Sequence, residues 1–217
     1  AITLARCAVG PVSSVLFTSF VAYGMSRKNL RWRKFFNVWA LIPMFFGGGL
    51  IPYYLLCKML GLLNTFAIYI IPGMYSVYNM ILIRSFFKST PEELHEAAVL
   101  DGAGEFRIYF QLMIPLCMPV LITLFMWNFI GHWNDYLTSM LYCPQRPDLD
   151  SLQYVLRQII AAADAGSFDS VLSVSGKATG ETISYAAMTF GALPLIVIFP
   201  FVQKYLTQGV YVGSLKG

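Results

Sequence analysis

The sequence predicts an all-α membrane protein: one transmembrane domain over residues 1–217, a bundle of five spanning helices with one short helix outside the bilayer. Three observations carry that reading. Hydrophobic residues fill 57% of the chain and charged ones only 12%, about half the charged share of a water-soluble domain, and mean hydropathy is +0.62. Five apolar stretches reach the ~20 residues needed to cross a ~30 Å hydrocarbon core. Regular period-two alternation is absent, which argues against an outer-membrane barrel.

The expected spans are 7–25, 37–57, 63–83, 109–131 and 186–206, the last free of charge as far as Gln203. Several carry helix-breaking residues, notably Gly47-Gly48-Gly49 and the pair Pro115 and Pro119. Membrane helices tolerate these because neighbouring helices and waters re-satisfy the freed backbone groups. Orientation follows from Lys and Arg. With residue 1 outside, the inner segments 26–36, 84–108 and the C-terminal tail hold ten of the fifteen basic residues. The chain begins with Ala, so it reads as part of a longer protein with a further helix upstream.

The inner segment 84–108, RSFFKSTPEELHEAAVLDGAGEFRI, predicts a helix of about ten residues. Thr90 stands at the N-cap, Pro91 at the first helical position and Glu93 where a capping box places its carboxylate. Leu94, Ala97, Ala98 and Asp101 share one side, and Gly102 supplies a left-handed turn at the end. Short amphipathic connectors of this kind are common, and pattern alone does not make one functional.

The residue string goes further. Glu96-Ala97-Ala98-x-x-Asp101-Gly102-Ala103, with Pro115 and Pro119 downstream, resembles the EAA loop of binding-protein-dependent ABC importer permeases. Tyr109 stands where that family usually has Phe. WNFIGHWNDY at 127–136, LLNTFAIYIIPG at 62–73, LQYVLRQI at 152–159 and the Gly209–Gly217 ending are similar to the carbohydrate permeases of the maltose-transporter type. The similarity is nearest to oligosaccharide permeases, some of which carry acidic sugars such as alginate fragments. The resemblance implies six helices in the full subunit and a bacterial inner-membrane location. It implies a coupling helix docked on an ATP-hydrolysing subunit, with Glu93, Glu96, Ala97, Ala98, Asp101, Gly102 and Ala103 in contact. Implied partners are a second permease subunit, two ATP-binding subunits, which would hold ATP and Mg, an extracytoplasmic solute-binding protein and the sugar itself.

Intramembrane polar and aromatic groups are the candidates for a sugar path: Tyr75, Tyr78, Asn79, Trp127, Asn128, His132, Trp133 and Asn134. Rings can stack on sugar faces while amides bond hydroxyls. Trp and Tyr also collect at membrane interfaces, and Asn bonds neighbouring helices, so both readings stand at this point. The long outer segment 132–185 is expected to face the binding protein, or to be a solvated connector.

No catalytic residue, metal site or cofactor is expected in this chain. Ser175-Gly176-Lys177-Ala178-Thr179 hints at a phosphate loop, but Val171 replaces the leading Gly and Ala follows the Lys. Cys7, Cys57, Cys117 and Cys143 form no metal-type spacing and read as small packing residues. Without a basic stripe, nucleic acid is not an expected partner. A membrane enzyme, a passive channel or scaffold, and a permease for a non-sugar solute are the competing readings.

Overall fold

The computed structural model describes residues 1–165 and 180–214. The Ser175–Thr179 string lies outside the described residues, as do the side chains of the Gly209–Gly217 ending. The described residues form helices, short 3₁₀ and π turns, and loops.

In chain order the helices are α1 (Ile2–Ser26), α2 (Arg33–Phe45), α3 (Leu50–Met59), α4 (Val77–Ser89), α5 (Glu92–Leu100), α6 (Glu105–Ile108), α7 (Ile114–Leu116), α8 (Met118–Asn134), α9 (Leu137–Tyr142), α10 (Leu152–Asp164) and α11 (Gly180–Ser214). Two are long and apolar enough to span alone: α1 and the Gly180–Pro200 part of α11. Three bent pairs bring the number to as many as five.

Each bend has a cause in the sequence. The 37–57 stretch breaks between α2 and α3 at 115°, across Gly47–Gly49, and Gly49 takes φ +82°. Gly bears that left-handed backbone at no steric cost. The 109–131 stretch turns by 81° between α7 and α8. Pro115 has no N–H for the carbonyl four residues back, and its ring crowds that carbonyl. The backbone answers by widening into a π segment over Tyr109–Met113, the usual device for absorbing a broken ladder. The 63–83 stretch is not one helix. Phe66–Tyr69 and Ile71–Gly73 are 3₁₀ turns, and α4 starts only after Ser76, whose hydroxyl accepts from the Asn79 N–H at 3.3 Å. Pro72 and the Ser cap outrank the apolar run.

Helix α1 is the centre of the bundle, packed on α8 and α4. Its buried face runs through Thr3, Cys7, Gly10, Ser14, Thr18 and Ala22, small residues that let helices approach closely. Thr18 Oγ1 donates to the Met74 carbonyl (3.3 Å) and Ser19 shares a 2.7 Å hydroxyl bond with Tyr109. One apolar cluster, including Tyr23, Ile83, Phe87, Tyr109 and Leu124, fills the half next to α5, the inner half by the sequence expectation. A second, including Cys57, Tyr69, Tyr142 and Cys143, fills the opposite half. All four Cys are free and buried. Large apolar side chains of α1, α2, α3 and α11 stay exposed. Water would penalise that surface and lipid does not.

Candidate coupling surface and transmembrane cleft

The inner-loop helix forms, but one residue later than its cap signal. Thr90 and Pro91 both take extended ψ values, 132° and 134°. A residue before proline is steered out of the helical region. Pro91 therefore becomes the N-cap, without a side-chain bond, and the capping box expected from Thr90 and Glu93 does not form. The Thr90 hydroxyl instead donates to the Phe86 carbonyl (3.5 Å), closing α4. Glu92 and Glu93 occupy the first turn of α5, where carboxylates favour the helix dipole. At the far end Gly102 takes φ +78°, and its N–H bonds the Val99 carbonyl at 2.9 Å.

The structure splits the EAA residues between two faces. Ala98 and Ala103 pack partly against the inner apolar cluster, while Glu93, Glu96, Ala97, Asp101 and Gly102 are exposed. Beside them stand apolar residues the string did not single out: Leu94, Val99, Leu100 (87% exposed) and Phe106 (68%). An apolar patch ringed by acids is what a docking helix presents. Its scaffold is polar. Glu105 accepts from the Tyr23 hydroxyl of α1 and lies 3.3 Å from His95 of α5, while Glu92 pairs with Lys28 just past α1. The Lys28 bond holds the Glu92 carboxyl below its ordinary range. These contacts join α5 and α6 to the end of the central helix.

At the opposite end of α1 a cleft of about 400 Å³ opens among α1, α8 and the 66–73 turns. Of the predicted path residues, Asn79, Trp127, Asn128 and His132 line it, joined by Tyr53. Tyr78 is exposed at its margin and stacks on Trp127, centroids 6.4 Å apart and planes 20° off parallel. Asn128 also ties helices: it accepts from Ser14 (3.4 Å) and donates to the Leu124 carbonyl (2.8 Å). Three candidates lie elsewhere. Tyr75 precedes α4 and packs on Phe17. Trp133 is buried, its indole N–H on the Gly191 carbonyl at 2.9 Å. Asn134 lines a separate cleft between α8, α10 and α11.

The sequence reading missed the charged floor of this cleft. Arg6, buried in α1, pairs with the Asp135 carboxylate, donates to the Asp135 carbonyl (3.2 Å) and lies 4.2 Å from the Tyr69 ring centroid. Tyr69 donates to the Leu149 carbonyl (2.9 Å) and meets Ser139 at 2.8 Å. Burial opposes ionisation of Asp135, but bonds from Thr138 and Arg6 outweigh it and hold the carboxyl below its ordinary range. His132 stands beside the pair over Gly10, where a Cβ would come within 2.3 Å of its ring. Each charge stands out in the sequence, Arg6 directly before a charge-free span and Asp135 at the end of the WNFIGHWND run, but nothing there pairs them.

A helical membrane domain with a polar cleft at one end and a short exposed helix at the other has the parts of a transport protein. The family comparison gives the same class: residues 14–211 match the model for the binding-protein-dependent transport system inner membrane component. The chain belongs to that family. The polygalacturonan/rhamnogalacturonan transport system permease protein YtcP of Bacillus subtilis (strain 168) is 32% identical over 96% of this chain and 73% of its own length. The maltodextrin transport system permease protein MdxG of the same organism is 30% identical over 95% of this chain and 70% of its own. A bacterial ABC transporter importing the acidic polysaccharide alginate, solved by crystallography, superposes with a TM-score of 0.87 at 30% identity, covering 94% of this chain and 73% of the matched one.

Proposed function

We propose that this chain is the membrane-spanning permease subunit of an ATP-driven importer of oligosaccharides. The observation that carries the reading is α5: a short, exposed helix bearing Glu96, Ala97, Asp101 and Gly102 beside an apolar patch, braced on α1 through Glu105 and on Lys28 just past it through Glu92. Partner ATPase subunits, holding ATP and Mg, hydrolyse nucleotide and push on this patch, while this chain performs no catalysis. The brace transmits the push to α1, and the bundle rocks between outward- and inward-facing states around the sugar path. A second permease subunit completes the path and an extracytoplasmic solute-binding protein delivers the sugar.

Within the path, the Tyr78–Trp127 platform supplies ring stacking, and Asn79, Tyr53 and His132 supply hydroxyl partners. The names of the relatives support an oligosaccharide. An acidic sugar finds support in YtcP and in the alginate importer, though the cleft itself offers no surplus cation, because Asp135 matches Arg6.

The test is ATP hydrolysis by the reconstituted complex with binding protein and a panel of neutral and acidic oligosaccharides. The sugar that stimulates hydrolysis is the substrate. Glu96→Lys and Gly102→Asp abolish the stimulation while leaving assembly intact. No stimulation by any oligosaccharide, or unchanged stimulation in both variants, overturns the reading.

A further inference from the structure

The inner end of the bundle carries a basic pocket that coupling does not explain. Arg27, Lys28, Arg33 and Lys88 line a recess of about 270 Å³ between the end of α1, the start of α2 and the end of α4. Only Lys28 has an acidic partner, Glu92. Among the described residues no carboxylate lies within 4.0 Å of Arg27, Arg33, Arg84 or Lys88. Arg84, one turn before Lys88, donates to Asn37 of α2 at 2.6 Å, and its Nε is buried without a partner. Basic residues are ordinary on a cytosolic face. This set differs because four converge on one recess whose lining holds a single carboxylate, Glu92.

Next to the recess the surface turns apolar. A groove of about 530 Å³ runs between α1 and α2 past Phe17, Val21, Phe36 and Trp39, with almost no polar atom on its wall. Groove and recess flank one short stretch, the end of α1 and the turn after it. Gly24 and Leu30 line both the groove and a neighbouring hollow, and Arg27 lines both that hollow and the basic recess. Trp32 and Trp39 stand exposed along the approach, as aromatic residues do at headgroup level.

The geometry points to a binding site for one anionic phospholipid of the cytosolic leaflet, its phosphate on Arg33 and Lys88 and an acyl chain in the α1–α2 groove. The chemistry is complementary at both ends. A phosphate supplies the missing counter-charge, and a hydrocarbon chain covers apolar wall beside it. The site borders α5 through Pro91, Glu92 and His95, so a bound headgroup also screens the charges around the coupling helix.

Native mass spectrometry on the full chain tests this, using nanodiscs of phosphatidylcholine with a minority of phosphatidylglycerol. The wild type retains phosphatidylglycerol through gentle extraction in preference to phosphatidylcholine. Arg33→Gln and Lys88→Gln alter partly or fully exposed side chains and leave the fold intact. Each lowers that preference about five-fold, the worth of one surface cation at an anionic leaflet. Trp39→Ala weakens retention of both lipids. Free glycerol phosphate does not displace the lipid, which separates a headgroup-plus-chain site from a simple phosphate site. Equal retention of the two lipids, indifference to both charge variants, displacement by glycerol phosphate, or displacement by added partner subunits overturns the assignment.

Discussion

Asp135→Asn is the perturbation that weighs the buried pair most directly. Arg6 keeps only 2% of its side chain exposed, against 24% for Asp135. The Asn amide preserves shape and can still accept from the Thr138 N–H, which Asp135 Oδ1 now accepts at 3.0 Å. What disappears is the counter-charge. Arg6 keeps the Asp135 carbonyl and the Tyr69 ring, neither of which neutralises it. Removing one partner of a buried pair costs about 3–5 kcal/mol, and the near-complete burial of Arg6 places this case within that range. Removing both changes the sum. Arg6→Met with Asp135→Leu leaves no buried charge but forfeits the Thr138 bond and the Arg6 bond to the Asp135 carbonyl, about 1 kcal/mol each. The double variant is therefore about 1–3 kcal/mol more stable than Asp135→Asn. Unfolding in detergent titrations of the purified chain measures both. An Asp135→Asn variant within about 1 kcal/mol of wild type, or a double variant no better than the single one, refutes the reasoning.

Other outcomes follow from the same geometry. Gly10→Ala drives a methyl to within 2.3 Å of the His132 ring and costs about 1–3 kcal/mol by overpacking; adding His132→Ala recovers most of it in the same titration. Gly102→Ala meets no neighbour within 4 Å, so its whole effect is the left-handed backbone at φ +78°, about 1–2 kcal/mol, seen as faster amide exchange at the end of α5. The Lys28–Glu92 contact has a depressed carboxyl, so its contribution is fully present above the ordinary Glu pKa of about 4.3. It is lost as pH falls through the lower folded value. Amide exchange in the first turn of α5 is then insensitive to Glu92→Gln below that window and accelerated by it at neutral pH.

Much of this was legible in the chain. Charge-free stretches at the right length give the helical membrane class, and Gly47–Gly49 and Pro115 are visible break points. The EAA string locates α5 to within a residue or two. Its cap was misread because Thr90 and Pro91 have the right composition, yet the constraint that proline places on its predecessor moved the start to Glu92. The i, i+3, i+4 spacing of Tyr75, Tyr78 and Asn79 would place them on one helix face, but Ser76 caps α4 one residue after Tyr75. Arg6 and Asp135 are 129 positions apart. A pairing of that range is set by how α1 packs on α8, and periodicity in either segment carries no trace of it. The division of α5 into an inward Ala98 and an outward Ala97 likewise depends on which face meets the inner apolar cluster.

In the proposed mechanism α5 transmits work from a partner ATPase to a sugar path. Uptake of labelled oligosaccharide into proteoliposomes holding the whole transporter, with ATP supplied on the α5 side, tests it most directly. The expected result is ATP-dependent accumulation that Glu96→Lys abolishes without loss of complex or of sugar delivery by the binding protein. Accumulation that persists in Glu96→Lys, or that proceeds without ATP, contradicts it.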